Sequence, residues 1–149
     1  MKFQHRFRVK TPLQKVMEFH RRPIALKSLT PPPAFMKLEN VPNPTRQGDS
    51  FTFRMWLGPI PVRWESKFPE FTDHSFVDTQ GYGPFETWEH RHEFVAINPN
   101  TTEILDRIEA YLSQNPWRRF VGLLIWLTLP GLFWYRQIQT RRILEKNSS

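Results

Sequence analysis

Phe76-Val77-Asp78-Thr79-Gln80-Gly81-Tyr82-Gly83-Pro84-Phe85-Glu86-Thr87-Trp88-Glu89-His90-Arg91-His92-Glu93-Phe94 decides how this chain is read. Its centre, Gly81-Tyr82-Gly83-Pro84, has the composition of a turn. Before the turn, Phe76, Asp78 and Gln80 share one face. After it, Trp88, His90, His92 and Phe94 alternate with Thr87, Glu89, Arg91 and Glu93. Alternation with period two on both sides of a short turn predicts two antiparallel strands with one face turned inward.

The same pattern extends in both directions. Upstream, Ser50 to Leu57 sets Phe51, Phe53, Met55 and Leu57 against Thr52 and Arg54. After the Gly58-Pro59 turn, Val62, Trp64, Ser66 and Phe68 alternate with Arg63, Glu65 and Lys67. Phe35 to Glu39 reads as a short strand. Downstream of Asn98-Pro99-Asn100, Ile104, Asp106, Ile108 and Ala110 share a face. At the start of the chain Phe3, His5, Phe7 and Val9 alternate with Gln4, Arg6 and Arg8. Thr11-Pro12 then opens a helix with Leu13, Val16, Met17 and His20 on one face. Pro23 opens a second, short helix with Ile24, Leu26 and Leu29 expected inside. Pro31-Pro32-Pro33 stops helix there. The tail reads as a long helix over 117–144, expected to kink or break at Pro130-Gly131. Only Lys146 to Ser149 reads as frayed.

The order is strand, two short helices, about six strands, long helix. A sheet with one apolar face needs a cover, and the late helix supplies it. The expected architecture is therefore α+β, one domain over 1–149. A curved antiparallel sheet of about seven strands wraps a long C-terminal helix.

Composition narrows the function. There are 13 Phe and 6 Trp, which suits a broad sheet face or a cavity lining. The absence of Cys excludes disulfides and thiolate metal sites. The net charge of +7 is uneven: both ends are basic and residues 47–113 are acidic. No nucleic-acid motif accompanies the basic ends, so nucleic acid is not the expected partner. The N-terminus carries charge without an apolar run and does not read as a secretory signal. The expected setting is the cytoplasm or the inner membrane surface.

Several segments together resemble the START-like, helix-grip (SRPBCC) superfamily, in particular its polyketide cyclase/dehydrase and ligand-binding branch. They are Phe7-Arg8-Val9-Lys10-Thr11-Pro12-Leu13, Val62-Arg63-Trp64, Phe76-Val77-Asp78-Thr79-Gln80, Gly83-Pro84-Phe85, Trp88-Glu89-His90-Arg91-His92-Glu93-Phe94, Asp106-Arg107-Ile108 and Phe133-Trp134-Tyr135-Arg136. The resemblance implies a seven-stranded sheet gripping the last helix around a cavity. It also implies a hydrophobic ligand such as a lipid, an isoprenoid or quinone, or a polyketide. It implies no single reaction, because one fold hosts carriers and enzymes alike.

By strand parity the inward face holds His5, Asp78, Gln80, His90, His92 and Asp106 among apolar residues. Buried polar groups left without partners cost about 1–3 kcal/mol each. Three readings stand. The first is a satisfied structural network. The second is a ligand site in which Trp64, Phe76, Trp88, Phe94 and Phe133 supply area and Gln80, His90 and His92 orient the ligand. The third is acid–base catalysis by His90 or His92 with Asp78 or Asp106, of cyclase/dehydrase type. His5, His90 and His92 lack a recognised further ligand, so neither metal nor cofactor is expected. His20 and His74 read as surface or helix-face residues.

The sixteen residues from Phe120 to Tyr135 carry no charge. As a helix they span roughly 24 Å, less than a bilayer core of about 30 Å. The expected role is packing on the sheet. The alternative is an interfacial anchor, with Arg118, Arg119 and Arg136 drawn to anionic lipid, or an exposed helix that docks a partner.

Overall fold

A computed structural model describes residues 1–32 and 34–146; Pro33 of the proline triplet and Asn147–Ser149 of the tail lie outside the described residues. The elements are β1 (Lys2–Val9), α1 (Leu13–His20), α2 (Ile24–Ser28), β2 (Phe35–Glu39), β3 (Ser50–Leu57), β4 (Ile60–Phe71), β5 (Ser75–Tyr82), β6 (Phe85–Asn98), β7 (Thr101–Leu112) and α3 (Pro116–Lys146). The seven strands form one antiparallel sheet in the order β1-β7-β6-β5-β4-β3-β2. Strands β2 to β7 follow one another as hairpins. The chain between β1 and β2 crosses from one edge of the sheet to the other, carrying α1 and α2 with it.

Register explains the curvature. The β4–β5 ladder slips between Glu65 and Ser66 and again between Lys67 and Glu70. The β6–β7 ladder slips near both of its ends. Extra residues in one strand bend it and increase its twist. The concave side carries the buried aromatics Phe51, Phe53, Trp64, Phe68, Phe76 and Trp88. Their rings meet in tilted, stacked and edge-on pairs, as in Trp64–Trp88 at 5.1 Å and 90°.

Helix α3 lies across that side against β1, β7 and β6. Val121, Ile125, Leu129 and Phe133 recur every four residues and are buried, giving one apolar stripe toward the sheet. Gly122 sits close to the β5–β6 turn: a Cβ there would touch the Leu112 side chain at 3.3 Å and the Pro84 carbonyl oxygen at 3.4 Å. Arg118 fastens the same end. Its guanidinium donates to Gly83 O at 2.6 and 3.0 Å and to Phe85 O at 2.9 Å.

The helix runs unbroken through Pro130, so Pro130-Gly131 does not end it. Proline removes the amide that would bond the Trp126 carbonyl, and the packed stripe on either side holds the helix together. Two smaller expectations are corrected. Ile24 is exposed and Ala25 takes the inner position on α2. Lys146 belongs to the helix rather than to a frayed tail.

Candidate functional site

The sheet and α3 do not fill the space between them. A cavity of about 730 Å³ remains, lined from β3 to β7, from α2 and from α3. Most of its wall is apolar: Leu26 and Met36 at one side, Phe53, Trp64 and Trp88 on the sheet, Leu129 and Phe133 on the helix.

Four polar residues break that wall at one place, and strand register puts them there. Asp78 on β5 pairs with His90 on β6. His92, two residues on and on the same face, pairs with Asp106 on β7. The two imidazoles stack at 3.6 Å between ring centroids. His90 Nε2–H donates to Asp106 Oδ1 at 2.8 Å, and His92 Nε2–H donates to Asp78 Oδ2 at 2.8 Å. The second nitrogen of each ring faces the other carboxylate: His92 Nδ1 lies 3.1 Å from Asp106 Oδ1, and His90 Nδ1 lies 3.7 Å from Asp78 Oδ2. The result is a closed ring of two carboxylates and two imidazoles.

The ring sets its own protonation. Burial pushes the Asp106 carboxyl up, but the hydrogen bonds from His90 and His92 outweigh this and hold it well below the carboxylate range. Asp78 is lowered likewise, burial being overcome by the hydrogen bond from His92 and the nearby imidazoles. Burial and the charge on His92 lower His90. Burial acts on His92 too, but its contacts with Asp106 and Asp78 raise it above the ordinary value. His92 is thus the ring that takes a proton more readily, and His90 the one that takes it less readily.

Two further cavity residues escaped the sequence reading. Arg136 on α3 lines the cavity, and its Nε–H donates to Leu29 O at 3.3 Å. Burial lowers it, while Asp106 and Asp78 oppose that shift. With His92 protonated, two carboxylates, one imidazolium and one guanidinium leave the site with no net charge. The signal was present in the sequence, since Arg136 falls three and four residues from Phe133 and Thr140 on the buried face of α3.

The other is His20, at the end of α1. Its half-buried ring lines the cavity 4.9 Å from Phe94, and Nδ1–H donates to Val16 O at 2.8 Å. Burial is the main cause of a pKa lowered to about 4, with the charges of His92 and Arg136 adding to it and the Val16 bond and Asp106 opposing it. The folded state therefore favours neutral His20, and its contribution is full above pH ~6.5 and lost as pH falls toward 4. Between these limits wild type should lose about 1–3 kcal/mol more stability than His20→Phe, allowing for solvation of the half-buried ring. Urea unfolding of both proteins at neutral and mildly acidic pH measures this; parallel losses would contradict it.

The structure distributes the remaining candidates unequally. Trp64, Phe76, Trp88, His90, His92, Phe133, Asp78 and Asp106 all line the cavity. Gln80 and Phe94 are not on its wall. The Gln80 amide donates to Phe85 O at 2.8 Å and accepts from Phe85 N–H at 3.0 Å, so it closes the β5–β6 turn. Phe94 is 1% exposed and packs on His20 and Phe76. His5 is spent on Gln137, 2.8 Å away. His74 is exposed, as expected.

For a metal, the donor atoms of Asp78, His90 and His92 lie within 4.8 Å of one another. The sequence places the third donor, Asp78, on the same face, but its position opposite His90 depends on register. Among the described residues no helix is long and apolar enough to cross a membrane.

Neither a protein-family model nor a curated protein matches the sequence. Solved structures do match in three dimensions. An aromatase/cyclase from a Streptomyces species superposes with a TM-score of 0.75 at 10% identity, over 100% of this chain and 96% of that one. Norcoclaurine synthase from Thalictrum flavum, bound to dopamine and hydroxybenzaldehyde, gives 0.72 at 16% identity, over 100% and 88%. A protein from Thermus thermophilus gives 0.73 at 16% identity, over the full length of both chains.

Proposed function

The chain has the START-like, helix-grip fold, and from that premise we propose that it binds a hydrophobic small molecule between the sheet and α3. One observation carries this reading: about 730 Å³ of space that the protein's own side chains leave unfilled. That volume lies in the range of small-molecule sites, which are mostly apolar with a few convergent polar groups. The tetrad of Asp78, His90, His92 and Asp106, with Arg136 beside it, is that polar group. Its balanced charge suits an uncharged ligand whose carbonyl or hydroxyl meets His90. A lipid, an isoprenoid or quinone, or a polyketide-like molecule has this character.

Native mass spectrometry of the purified protein, followed by solvent extraction, tests the proposal. The expected result is one co-purifying apolar molecule per chain. Protein that emerges empty, and that takes up neither quinones nor fatty acyl lipids, would count against it. If the cavity is instead a cyclase or dehydrase site, His90→Ala should retain ligand binding and lose turnover.

A second reading rests on the outer face of α3. Trp117, Phe120, Leu123, Leu127, Trp134 and Ile138 are exposed and recur every three to seven residues along one side of the helix, with Leu127 also lining the cavity. With basic neighbours such as Arg119, this stripe fits the surface of an anionic bilayer. It is consistent with a protein that acts in the cytoplasm or at the inner membrane surface. Co-sedimentation with vesicles of mixed phosphatidylcholine and phosphatidylserine should fall at least about tenfold in Trp117→Asp/Trp134→Asp. Equal sedimentation of wild type and variant would dismiss the membrane role and favour a partner protein or no partner.

A further inference from the structure

We propose that Asp78, His90 and His92 bind a divalent transition-metal ion, with Asp106 holding both imidazoles from behind. The geometry is that of a site with two shells. Asp106 Oδ1 faces one nitrogen of each ring, His90 Nε2 at 2.8 Å and His92 Nδ1 at 3.1 Å. If both of those nitrogens carry the proton, the other two, His90 Nδ1 and His92 Nε2, present lone pairs toward the opposite side. There they face a single atom, Asp78 Oδ2, at 3.7 and 2.8 Å. Two lone pairs and a carboxylate oxygen directed at one another repel unless a cation lies between them. When His92 is protonated, the proton on its Nε2 is such a cation. A metal ion can take its place.

The dimensions agree. Bonds of about 2.0–2.2 Å to two imidazoles and a carboxylate in tetrahedral geometry put the donor atoms roughly 3.3–3.5 Å apart. The two separations to Asp78 Oδ2 bracket that range, all three donors lie within 4.8 Å of one another, and the stacked rings must turn apart to aim both lone pairs at one ion. His90 and His92 are two apart on one strand and face the same way, which suits joint coordination. Asp106 supplies the carboxylate that orients a metal-bound imidazole, here for both rings at once.

Charge also fits, because a dication balances the two carboxylates. Arg136 then leaves one positive charge over, which draws hydroxide or an anionic ligand oxygen to the ion's remaining positions. All three donor residues line the cavity, so those positions face whatever occupies it. Two nitrogens and one oxygen are a donor set for zinc or ferrous ion rather than calcium or magnesium.

The test uses the full chain, stripped with a chelator, dialysed and titrated with cobalt(II) and then zinc(II) at neutral pH. The expected result is one equivalent of cobalt, visible d–d absorption of low-coordinate geometry, and displacement by zinc. Asp78→Asn should abolish saturable binding. Asp106→Asn should weaken it about 10–100-fold while leaving one equivalent bound. His74→Ala, at an exposed histidine, should change nothing. Histidine ring resonances of wild-type protein give a reading that needs no variant: zinc should shift His90 and His92 and leave His74 in place. Absence of saturable binding, zinc shifts confined to His74, or full binding by folded Asp78→Asn would overturn the assignment.

Discussion

Asp106→Ala is expected to destabilise the metal-free protein by about 3–5 kcal/mol at neutral pH, because it breaks a buried charge cluster by removing one member. Asp106 is 6% exposed and accepts from His90 while facing His92 at 3.1 Å. Its loss leaves the buried His90 N–H without that acceptor. It also leaves Arg136 and a protonated His92 balanced only by Asp78. Removing His92 as well deletes that surplus charge, so the double change Asp106→Ala/His92→Ala should cost less than the two single changes together. The expected coupling is about 0.5–3 kcal/mol. Urea denaturation followed by circular dichroism gives all three values. A single-variant loss below about 1 kcal/mol would mean that water already solvates the tetrad.

The second large effect concerns the cavity itself. Ser66→Trp should reduce uptake of an apolar probe such as Nile red at least ~100-fold, equivalent to about 2.8 kcal/mol of binding energy. Ser66 is buried on β4, beside Phe51 on β3 and Gln80 on β5, and lines the cavity. An indole placed there would occupy space that a ligand needs. In a packed core the same substitution would cost about 1–3 kcal/mol by overpacking. Over an empty cavity the cost should fall below that range, since new contacts offset the strain. Probe fluorescence and thermal melts of the same samples separate the outcomes. Lost binding with intact melting supports a cavity-bound ligand. Retained binding would place the probe elsewhere, on the outer face of α3 for example.

Much of this was legible in the sequence, and the reasons are local. Alternation with period two, interrupted at Gly58-Pro59, Gly81-Tyr82-Gly83-Pro84 and Asn98-Pro99-Asn100, marks the strands directly. The same parity places Asp78, His90, His92 and Asp106 on the concave face. What parity cannot supply is register. It does not say that Asp78 sits opposite His90 and Asp106 opposite His92, and the chemistry depends on those pairings. Parity also cannot separate a cavity wall from a packed interior, so it does not show that Phe94 packs on His20 and Phe76. Gln80 was misread because a nearby turn claimed its amide first. His20 and Arg136 were missed because helices, not strands, deliver them. Each lies on the buried face of its helix, where a polar residue among apolar neighbours marks a place that packing alone does not explain.

The position of α3 in chain order has a consequence for biosynthesis. Every strand precedes it, so a nascent chain can pair its sheet while the concave side still lacks its cover. During that interval Phe53, Trp64, Trp88 and the Asp–His ring face water or each other, and the strand edges at β1 and β2 are open to neighbouring chains. Such a species invites association between copies and recruits chaperones. Synthesis of the thirty-one residues from Pro116 to Lys146 ends that exposure. A ribosomal pause within this stretch should therefore raise aggregation more than a pause of equal length within α1.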